Sequence, residues 1–379
     1  MTTERKLKVM TVVGTRPEII RLSRVITQLE AHTDHVMVHT GQNYDYTLNE
    51  VFFRDLGLAA PDHYLDAAGA TPIETIGNTL IRVDKVIEAV APEALLVLGD
   101  TNSCLSVIAA KRRKVPVFHM EAGNRCFDDR VPEEINRRLV DHLSDINLPY
   151  SERARDLLIR EGLPPDRVIK TGSPMFEVLH QHLPAARESK VLERLGLDPG
   201  AYFVASVHRE ENVDAPERLA MMVDTLNAVA KGYGRRIVMS THPRTRKRLE
   251  AAGLQTDERM EFHQPFGYHD YLALQMHAAA VLSDSGTISE EAAVLDLKAL
   301  NLRDTHERPE GMEEAVVMMT GLSRERVLQG LELLESAPRD GRRFARIPAD
   351  YDVPNVSDKV VRIILSYVDY VNRVVWRRY

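Results

Sequence analysis

Arginines and carboxylates gather in short polar stretches, each of which directly follows an apolar run of the chain. The stretches are "GTRPEIIR" (14–21), "TGQNYDY" (40–46), "GDTNS" (99–103), "EAGNRCFDDRVPEEINRR" (121–138), "VHREEN" (207–212), "DSGTISEE" (284–291) and "RDTHERPEG" (303–311). Arginines and helix N-termini suit a diphosphate, while carboxylates with a histidine suit proton transfer and hydroxyl binding. The stretches therefore predict a site for an anionic substrate whose reaction moves a proton.

These stretches can meet only if the apolar runs before them are strands of an open parallel sheet, which binds ligands at the carboxyl ends of its strands. Short β-branched runs alternate with helical stretches in the first half of the chain, a pattern typical of such a sheet. The sequence predicts strands at 8–14, 35–41, 94–100, 115–120 and 146–150, and helices at 17–31, 44–55, 72–90, 102–113, 132–143 and 151–162.

A second series of strands follows "GSP" (172–174). Its members are expected at 202–208, 236–242, 260–264, 279–284 and 298–304. Two series of this kind, in a chain longer than one core usually serves, predict two successive doubly wound α/β domains. We expect the first domain at residues 1–170 and the second at 171–359.

The final segment, residues 357–379, is predicted to be one long amphipathic helix with Ser357 as its N-cap. Apolar residues recur along it at helical spacing, namely Val360, Ile364, Val368, Val371 and Val375. We expect this stripe to pack on the protein's own surface, because a membrane-surface helix needs a denser cationic face.

Composition excludes several classes of protein. The 379 residues carry a formal net charge of -7, so there is no electrostatic footprint for nucleic acid or anionic membrane. Two cysteines, Cys104 and Cys126, are too few for a disulfide framework or a cysteine metal site, as in a reducing cytosol. With a short polar start and no apolar run long enough to span a bilayer, a cytoplasmic protein is expected.

Two of the polar stretches allow a structural and a functional interpretation. "GTRPE" is either a strand-to-helix turn with Pro17 at the first helical position, or an anion site with Arg16 and Arg21 near the helix N-terminus. "DSGT" is either a helix cap made by Asp284 or Ser285, or a phosphate cradle of backbone N–H groups and hydroxyls. No P-loop or nicotinamide fingerprint stands at a strand end.

The proton-transfer candidates have similar alternatives. Asp100 either caps the helix after its strand or faces a substrate, and His208 is either a structural residue or a histidine tuned by the acidic residues of "HREE". His242 is expected to be structural. No HxxxH, HExxH or cysteine pair brings ligands to one helical face, so no metal is expected.

If Asp100, Glu121 and Glu133 converge, their repulsion has chemical consequences. Two carboxylates about 5 Å apart, at an effective dielectric constant of about 20, repel by roughly 3 kcal/mol, which raises one pKa by about two units. One of the carboxyls could then stay protonated and act as an acid.

Taken together and in order, these motifs resemble the non-hydrolysing UDP-N-acetylglucosamine 2-epimerase family. The resemblance covers essentially the whole chain and rests on "GTRPE" (14–18), "GDT" (99–101), "EAGNR" (121–125), "PEEINR" (132–137), "HREE" (208–211), "DSGTISEE" (284–291) and "RDTHERPE" (303–310). It implies a GT-B fold of two Rossmann-like domains, with UDP held mainly by the second. It also implies that the final helix, about 360–379, packs back on the first domain, and that the protein is a homodimer.

The resemblance also implies a mechanism. The C2 proton of an acetamido sugar has no adjacent carbonyl to acidify it, so members of this family eliminate UDP across C1 and C2. The resulting 2-acetamidoglycal then takes UDP back, with the proton delivered to the opposite face. Such a reaction needs two proton-transfer groups and a cradle for the departing diphosphate, but no redox cofactor and no metal.

Site residues are carried over motif by motif. The catalytic candidates implied by the resemblance are Asp100, Glu121, Glu133 and His208, with acid and base not assigned among them. The UDP-sugar contacts it implies are Arg16, Arg21, Arg137, Ser285, Gly286, Thr287, Glu291 and Arg308. Glu291 is expected to bind the ribose hydroxyls, and the arginines and Ser285 the phosphates.

Three departures from the common family pattern bear on the sugar. "EAGNR" replaces "EAGLR", Val131 replaces an aromatic residue before "PEE", and "ERPEGMEE" replaces "ERPEA". They are similar to the branch that converts UDP-2-acetamido-2,6-dideoxy-L-talose to UDP-N-acetyl-L-fucosamine for capsule and O-antigen synthesis. The alternatives are interconversion of UDP-N-acetylglucosamine and UDP-N-acetylmannosamine, a GT-B glycosyltransferase, a non-catalytic sugar-nucleotide sensor and a hydrolysing relative.

Overall fold

The computed structural model describes residues 5–41, 53–337 and 342–378. Most of the predicted helix at 44–55 and of "TGQNYDY" lies outside the described residues. The chain forms two compact units. Unit 1 comprises Met1–Val178 and Asp350–Tyr379, and unit 2 comprises Leu179–Ala349.

Unit 1 contains a six-stranded parallel sheet whose strands lie in the order β3-β2-β1-β4-β5-β6. The strands are β1 (Lys8–Val13), β2 (Asp34–His39), β3 (His63–Tyr64), β4 (Ala94–Leu98), β5 (Val117–Met120) and β6 (Ile146–Leu148). The helices are α1 (Arg16–His32), α2 (Pro72–Val90), α3 (Val107–Arg112), α4 (Pro132–Leu143), α5 (Glu152–Arg160), α6 (Met175–Glu188), which contains the division between the units, and near the C-terminus α15 (Val356–Val374). Two 3-10 turns occupy Asn102–Ser106 and Pro165–Arg167.

Unit 2 repeats the same topology, with its strands in the order β12-β11-β10-β7-β8-β9. The strands are β7 (Tyr202–Ser206), β8 (Arg236–Ser240), β9 (Met260–His263), β10 (Ala280–Ser283), β11 (Ala299–Asn301) and β12 (Met318–Met319). The helices are α7 (Val191–Leu195), α8 (Glu210–Val213), α9 (Pro216–Tyr233), α10 (Pro243–Ala252), α11 (Tyr268–His277), α12 (Ile288–Leu295), α13 (Pro309–Glu313) and α14 (Arg324–Ser336).

Each sheet has its own hydrophobic core, built from the strand residues and the apolar faces of the covering helices. In unit 1, Val12 of β1 and Leu95 of β4 belong to one buried cluster with Val83 of α2. In unit 2, Phe203 of β7 and Ile237 of β8 belong to another. Because both faces of each sheet are buried, the sequences of the strands are continuous apolar runs.

In both sheets the strand order reverses beside the first strand of the unit. β1 lies between β2 and β4, and β7 lies between β8 and β10. The chain therefore leaves β1 and β4 toward opposite sides of the sheet, which opens a crevice at the carboxyl ends of those strands. The same holds for β7 and β10, so the loops after these four strands are the expected ligand sites.

The prediction of an α/β fold with two doubly wound sheets is confirmed, and the architecture is of GT-B type. The short edge strands β3 and β12 were not predicted, because two residues show no periodicity. The helix predicted at 102–113 begins as a 3-10 turn and becomes α-helical only at Val107.

The predicted N-cap at Ser357 is wrong, because α15 begins one residue earlier and has Asn355 at its N-cap. The Ser357 hydroxyl instead donates to Glu177 Oε2 at 2.5 Å, and its backbone N–H donates to Glu177 Oε1 at 3.0 Å. The predicted apolar stripe is buried from Val360 to Val371, and α15 packs against α1 within unit 1.

Gly123, in the loop after β5, is predicted to be required for folding. Its φ is 81°, and an added Cβ would overlap the Ala154 carbonyl oxygen and lie 2.9 Å from Leu158 Cγ. Gly123→Ala should lower the free energy of unfolding by about 3 kcal/mol, because alanine is strained at this positive φ and its Cβ overlaps the neighbouring atoms. Gly162→Ala is the control, because its φ is 92° but nothing lies within 4 Å of the added Cβ. Urea denaturation should show a loss of only about 1 kcal/mol there, and equal losses would contradict the packing argument.

Candidate active site

Glu121 follows β5 in a left-handed conformation with φ of 64°, which is uncommon for a residue with a side chain. Its carboxylate forms an ion pair with Arg21 of α1, and its Oε1 accepts a hydrogen bond from Asn124 Nδ2 at 3.2 Å. The side chain is only 5% exposed. Two predicted site residues, Arg21 and Glu121, are therefore in direct contact.

Asp100 follows β4 and is held by Arg137 of α4. Arg137 donates to Asp100 Oδ2 from Nε at 3.0 Å and from Nη2 at 2.6 Å. The same guanidinium donates from Nη1 to Glu134 Oε2 at 2.8 Å. Asn136 Nδ2 adds a hydrogen bond to the Asp100 carbonyl oxygen at 2.9 Å. The helix cap considered for Asp100 is not formed, since the 3-10 turn has Thr101 at its N-cap position.

Glu121 lies beside the chain segment that carries Asp100. An added Cβ at Gly99, which has φ of 82°, would stand 3.5 Å from Glu121 Oε2. Because β4 and β5 are adjacent parallel strands, their carboxyl ends present the two carboxylates at one edge of the sheet. Each of the two carboxylates is nevertheless paired with its own arginine, which offsets their repulsion.

Glu133 and Arg16 occupy first-turn positions of helices. Glu133 is the second residue of α4 and Arg16 the first residue of α1, and both are half-buried. A carboxylate near a helix N-terminus is stabilised by the helix dipole.

Two buried glutamates of unit 1 were not among the predicted site residues. Glu134 is fully buried and accepts hydrogen bonds from the backbone N–H groups of Cys126 (3.0 Å) and Phe127 (3.3 Å), as well as from Arg137. Burial opposes ionisation of Glu134, but these donors outweigh it and lower its pKa. The "PEE" motif was the available signal, and α4 directs its second glutamate inward.

Glu18 of α1 is the other glutamate. It accepts hydrogen bonds from Gly14 N at 3.1 Å, from Thr15 Oγ1 at 2.7 Å and from Ser103 Oγ. Burial raises its pKa, against the opposing effect of these hydrogen bonds. Glu18 therefore ties the loop after β1 to the loop after β4.

In unit 2, His208 and Asp284 form a pair across the loops after β7 and β10. His208 Nδ1 lies 3.1 Å from Asp284 Oδ1, with His208 33% exposed and Asp284 fully buried. The carboxylate also accepts hydrogen bonds from the backbone N–H groups of His208 (3.1 Å) and Arg209 (2.9 Å) and from Asn212 Nδ2 (3.1 Å). Burial alone would raise the Asp284 pKa, but His208 and these donors lower it to about 2.

The acidic neighbour of His208 is therefore Asp284. The glutamates of "HREE" face other residues, since Glu210 accepts from Arg244 Nη1 at 2.5 Å and Glu211 Oε1 lies 3.5 Å from Arg303 Nε. The prediction that these glutamates tune His208 is wrong, because sequence adjacency does not set side-chain direction in a loop. His242 accepts from Arg244 N at 3.2 Å at the N-cap of α10, which agrees with a structural role.

The "DSGT" turn leads into α12 with Thr287 at the N-cap position, so the alternative interpretation of a cap at Asp284 or Ser285 does not hold. Ser285 Oγ and Thr287 Oγ1 are 2.9 Å apart, and Thr287 Oγ1 donates to Glu291 Oε1 at 2.8 Å. Gln275 Nε2 donates to the other oxygen of Glu291 at 2.8 Å. The structure thus brings together three of the predicted UDP contacts, Ser285, Thr287 and Glu291.

Gly286 lies against a buried charged group formed by the "RDTHERPE" stretch. An added Cβ would stand 2.6 Å from Glu307 Oε1 and 3.3 Å from Arg209 Nη2. Glu307 is paired with Arg303, whose Nη1 donates to it at 2.7 Å, and Arg303 is only 1% exposed. Arg308 donates from Nε to the buried Glu290 at 3.3 Å. Arg303 and Glu307 were missed as part of the site, although their motif was recognised.

Over residues 5–41, 53–337 and 342–378, no group of three or more histidine, cysteine, aspartate or glutamate side chains is arranged to hold a metal ion. None of the helices described there has the length and apolar character needed to cross a membrane.

Comparison with known proteins decides the family. The sequence pattern of the family described as UDP-N-acetylglucosamine 2-epimerase matches residues 27–365. The chain belongs to this family. It is a non-hydrolysing epimerase, as its ordered motifs indicate.

Individual members of the epimerase family match over most of the chain. A solved UDP-N-acetylglucosamine 2-epimerase from Rickettsia bellii is 48% identical, with a TM-score of 0.92 over 99% of this chain and 100% of that one. A structure described as Methanocaldococcus jannaschii UDP-GlcNAc 2-epimerase in complex with UDP-GlcNAc and UDP is 33% identical, with a TM-score of 0.89 over 95% and 100%. A UDP-2,3-diacetamido-2,3-dideoxy-D-glucuronate 2-epimerase from Pseudomonas aeruginosa is 33% identical over 85% of this chain and 91% of its own.

Asp284 of this epimerase is predicted to stabilise unit 2 in a pH-dependent way. Its pKa falls from 3.8 to about 2 on folding, so its contribution is present above about pH 4 and is lost as the pH falls toward 2. Asp284→Asn should lower the free energy of unfolding by about 2 kcal/mol at pH 7. The deficit should shrink below pH 4 in urea titrations. The exposed Asp198 is the control, and Asp198→Asn should change stability by less than about 0.5 kcal/mol. A deficit that is unchanged at pH 3 would contradict the assignment.

Proposed function

We propose that this epimerase inverts C2 of a UDP-2-acetamido sugar by eliminating UDP to a 2-acetamidoglycal and adding it back. The observation that carries the proposal is the placement of Asp100 and Glu121 after the adjacent strands β4 and β5. Each carboxylate is held by one arginine, Arg137 or Arg21. Removal and return of a C2 proton on opposite faces of a sugar requires more than one such group.

We assign proton transfer to Asp100, Glu121 and Glu133 of unit 1 and His208 of unit 2. The ion pair with Asp284 fixes the orientation of His208, since its Nδ1 faces the buried carboxylate. The other ring nitrogen, Nε2, is then the one available for chemistry, as in other carboxylate–histidine pairs. General acid–base catalysis of this kind contributes about 10²–10⁴-fold in rate.

We assign UDP binding mainly to the loops of unit 2. The Ser285–Gly286–Thr287 turn precedes α12, and the start of a helix supplies N–H groups for a phosphate. Gly286 is required in this turn, because Glu307 Oε1 and Arg209 Nη2 lie where a Cβ would stand, and the Arg209 guanidinium places a cation beside the turn. Glu291 is proposed to accept the ribose hydroxyls. The remaining proposed contacts are Arg308 in unit 2 and Arg16, Arg21 and Arg137 in unit 1.

The sugar itself is proposed to be UDP-2-acetamido-2,6-dideoxy-L-talose, converted to UDP-N-acetyl-L-fucosamine for capsule and O-antigen precursors. The departure "EAGNR" supports this choice, because Asn124 Nδ2 donates to the Glu121 carboxylate and the leucine of the common pattern has no such donor. Val131, also a departure, is buried at the N-cap of α4, the helix that carries Glu133. The Pseudomonas aeruginosa relative carries the name of an epimerase for a modified acetamido sugar.

A second candidate reaction is the interconversion of UDP-N-acetylglucosamine and UDP-N-acetylmannosamine. It is favoured by the 48% identity to the Rickettsia bellii protein described as a UDP-N-acetylglucosamine 2-epimerase. The glycosyltransferase alternative has only fold-level support, since a Rickettsia africae glycosyltransferase is 12% identical with a TM-score of 0.55. We further propose a homodimer located in the cytoplasm.

The two substrates can be compared directly. Each pure sugar nucleotide is incubated with the enzyme, and inversion at C2 is followed by NMR through the anomeric and H2 signals. We predict that the 6-deoxy-L-talo compound is inverted with a kcat/KM at least about tenfold above that of the D-gluco compound, or about 1.4 kcal/mol in the transition state. Turnover of the D-gluco compound alone would establish the second candidate instead.

Glu121→Gln and His208→Asn should each lower kcat by about 10²–10⁴-fold, because each removes a proposed proton-transfer group. UDP affinity, measured by calorimetric titration, should stay within about threefold of the wild type. Glu152→Gln is the control, since Glu152 is an exposed carboxylate at the start of α5, and it should retain full activity. A loss of UDP affinity that parallels the loss of turnover would reassign Glu121 or His208 to substrate binding.

A further inference from the structure

A network of ionisable side chains, buried except for Glu161, packs against the loops that carry the two proposed catalytic carboxylates of unit 1. It consists of His119 on β5, Asp141 on α4, Arg125 in the loop after β5, and Glu161 directly after α5. His119 and Asp141 are fully buried and the Arg125 side chain is 1% exposed. Burying charges is costly unless each has a partner, so a network of this size calls for an explanation.

On one side, the network holds the loop that carries Glu121. Asp141 accepts from the Gly123 backbone N–H at 3.2 Å and from Arg125 Nη1 at 2.7 Å. Arg125 Nη1 also donates to the Asn124 carbonyl oxygen at 2.7 Å, while the Asn124 side chain donates to Glu121. The Asp141 carboxylate therefore stabilises the loop that continues from the left-handed Glu121.

On the other side, the network reaches the residue before Asp100. His119 Nε2 lies 2.8 Å from the Gly99 carbonyl oxygen, and Nδ1 lies 3.0 Å from Asp141 Oδ1. Gly99 N in turn donates to the Met120 carbonyl oxygen at 3.0 Å. Through His119, Asp141 is thus connected to the chain segments that carry both carboxylates.

We propose that His119 and Asp141 are positioning residues that set the distance between the Asp100 and Glu121 carboxylates. This inference rests on the proposed function, which gives those two carboxylates their role in proton transfer. Two reacting groups must be held to within a fraction of an ångström, because a displacement of about 1 Å costs about 10²-fold in rate. Contacts from His119, Asp141 and Arg125 to the backbone on both sides of the left-handed turn at Glu121 provide that constraint.

The chemistry of His119 supports a specific role for its ring. Nε2 is at hydrogen-bond distance from the Gly99 carbonyl oxygen, whereas Nδ1 lies at ion-pair distance from the Asp141 carboxylate without hydrogen-bond geometry. A glutamine can still donate through its amide toward Gly99, whereas a leucine of similar size can donate to neither oxygen. The two substitutions therefore separate filling of the space from hydrogen bonding.

The test compares Asp141→Asn, His119→Gln and His119→Leu with Asp145→Asn as the matched control. Asp145 is also a buried carboxylate that binds the same strand, accepting from Val117 N at 2.9 Å and pairing with Lys111, but at the opposite end of β5. For each protein, kcat and KM for the epimerised sugar nucleotide, UDP affinity and thermal stability are measured.

We expect Asp141→Asn and His119→Leu to lower kcat by about 100-fold with KM and UDP affinity within about threefold of the wild type. The kcat of His119→Gln should be at least about tenfold higher than that of His119→Leu. Asp145→Asn should lower thermal stability to a similar extent while changing kcat by less than about threefold.

The inference is overturned if Asp145→Asn loses as much kcat as Asp141→Asn, if UDP affinity falls together with kcat, or if glutamine and leucine at position 119 are equivalent. Each of these results would indicate general damage to unit 1. A wild-type enzyme that inverts no UDP-acetamido sugar would overturn the proposed function, and the inference with it. The wild-type measurement separates the two cases, because an active wild-type enzyme leaves the proposed function standing even if the variants contradict the inference.

Discussion

In both units, a buried carboxylate connects the two loops that follow the central strands, where the strand order reverses. Glu18 connects the loop after β1 to Ser103 after β4, and Asp284 connects the loop after β10 to His208 and Arg209 after β7. A doubly wound sheet needs such a connection, because the chains leaving the central strands turn to opposite faces. The placement of Arg16, Asp100, His208 and Ser285 depends on these loops being held together.

The pKa values of the two carboxylates shift in opposite directions because their partners differ. Asp284 meets His208, two backbone N–H groups and the Asn212 amide, so its pKa falls to about 2 despite complete burial. Glu18 meets two hydroxyls and one backbone N–H group, and burial raises its pKa. The number and charge of the donors decide whether the pKa of a fully buried carboxyl is raised or lowered. The ionised Asp284 is thus suited to orient a histidine, whereas Glu18 serves to bind hydroxyl groups.

Much of the fold was predictable, because buried parallel strands and amphipathic helices have strong local patterns. The helix at 72–90 has a capping box at Thr71 and Glu74, and the helix at 132–143 starts with a proline; both have the predicted bounds. The strands β3 and β12 and the N-cap of α15 depend on tertiary contacts, such as that between Ser357 and Glu177, which leave no local pattern. The division of the chain at 170 and 171 stays a prediction.

The site was predictable as a set of motifs, but its pairing was not. Nothing in the sequence indicates that Arg21 pairs with Glu121, that Arg137 pairs with Asp100, or that Glu134 rather than Glu133 is the buried member of "PEE". Such pairs join residues up to 100 positions apart, and only the order of the strands brings them together. The His119–Asp141 pair was missed for the same reason, since neither residue follows a strand.

The proposed reaction breaks and remakes a C2–H bond of the sugar, with solvent as the source of the returning proton. The direct test is to run the reaction in heavy water with the UDP-sugar as sole substrate and no acceptor, and to examine C2 of the product by NMR and mass spectrometry. We predict one deuterium at C2 in every inverted product molecule, with UDP released only in trace amounts. Inversion or transfer without deuterium at C2 would contradict it.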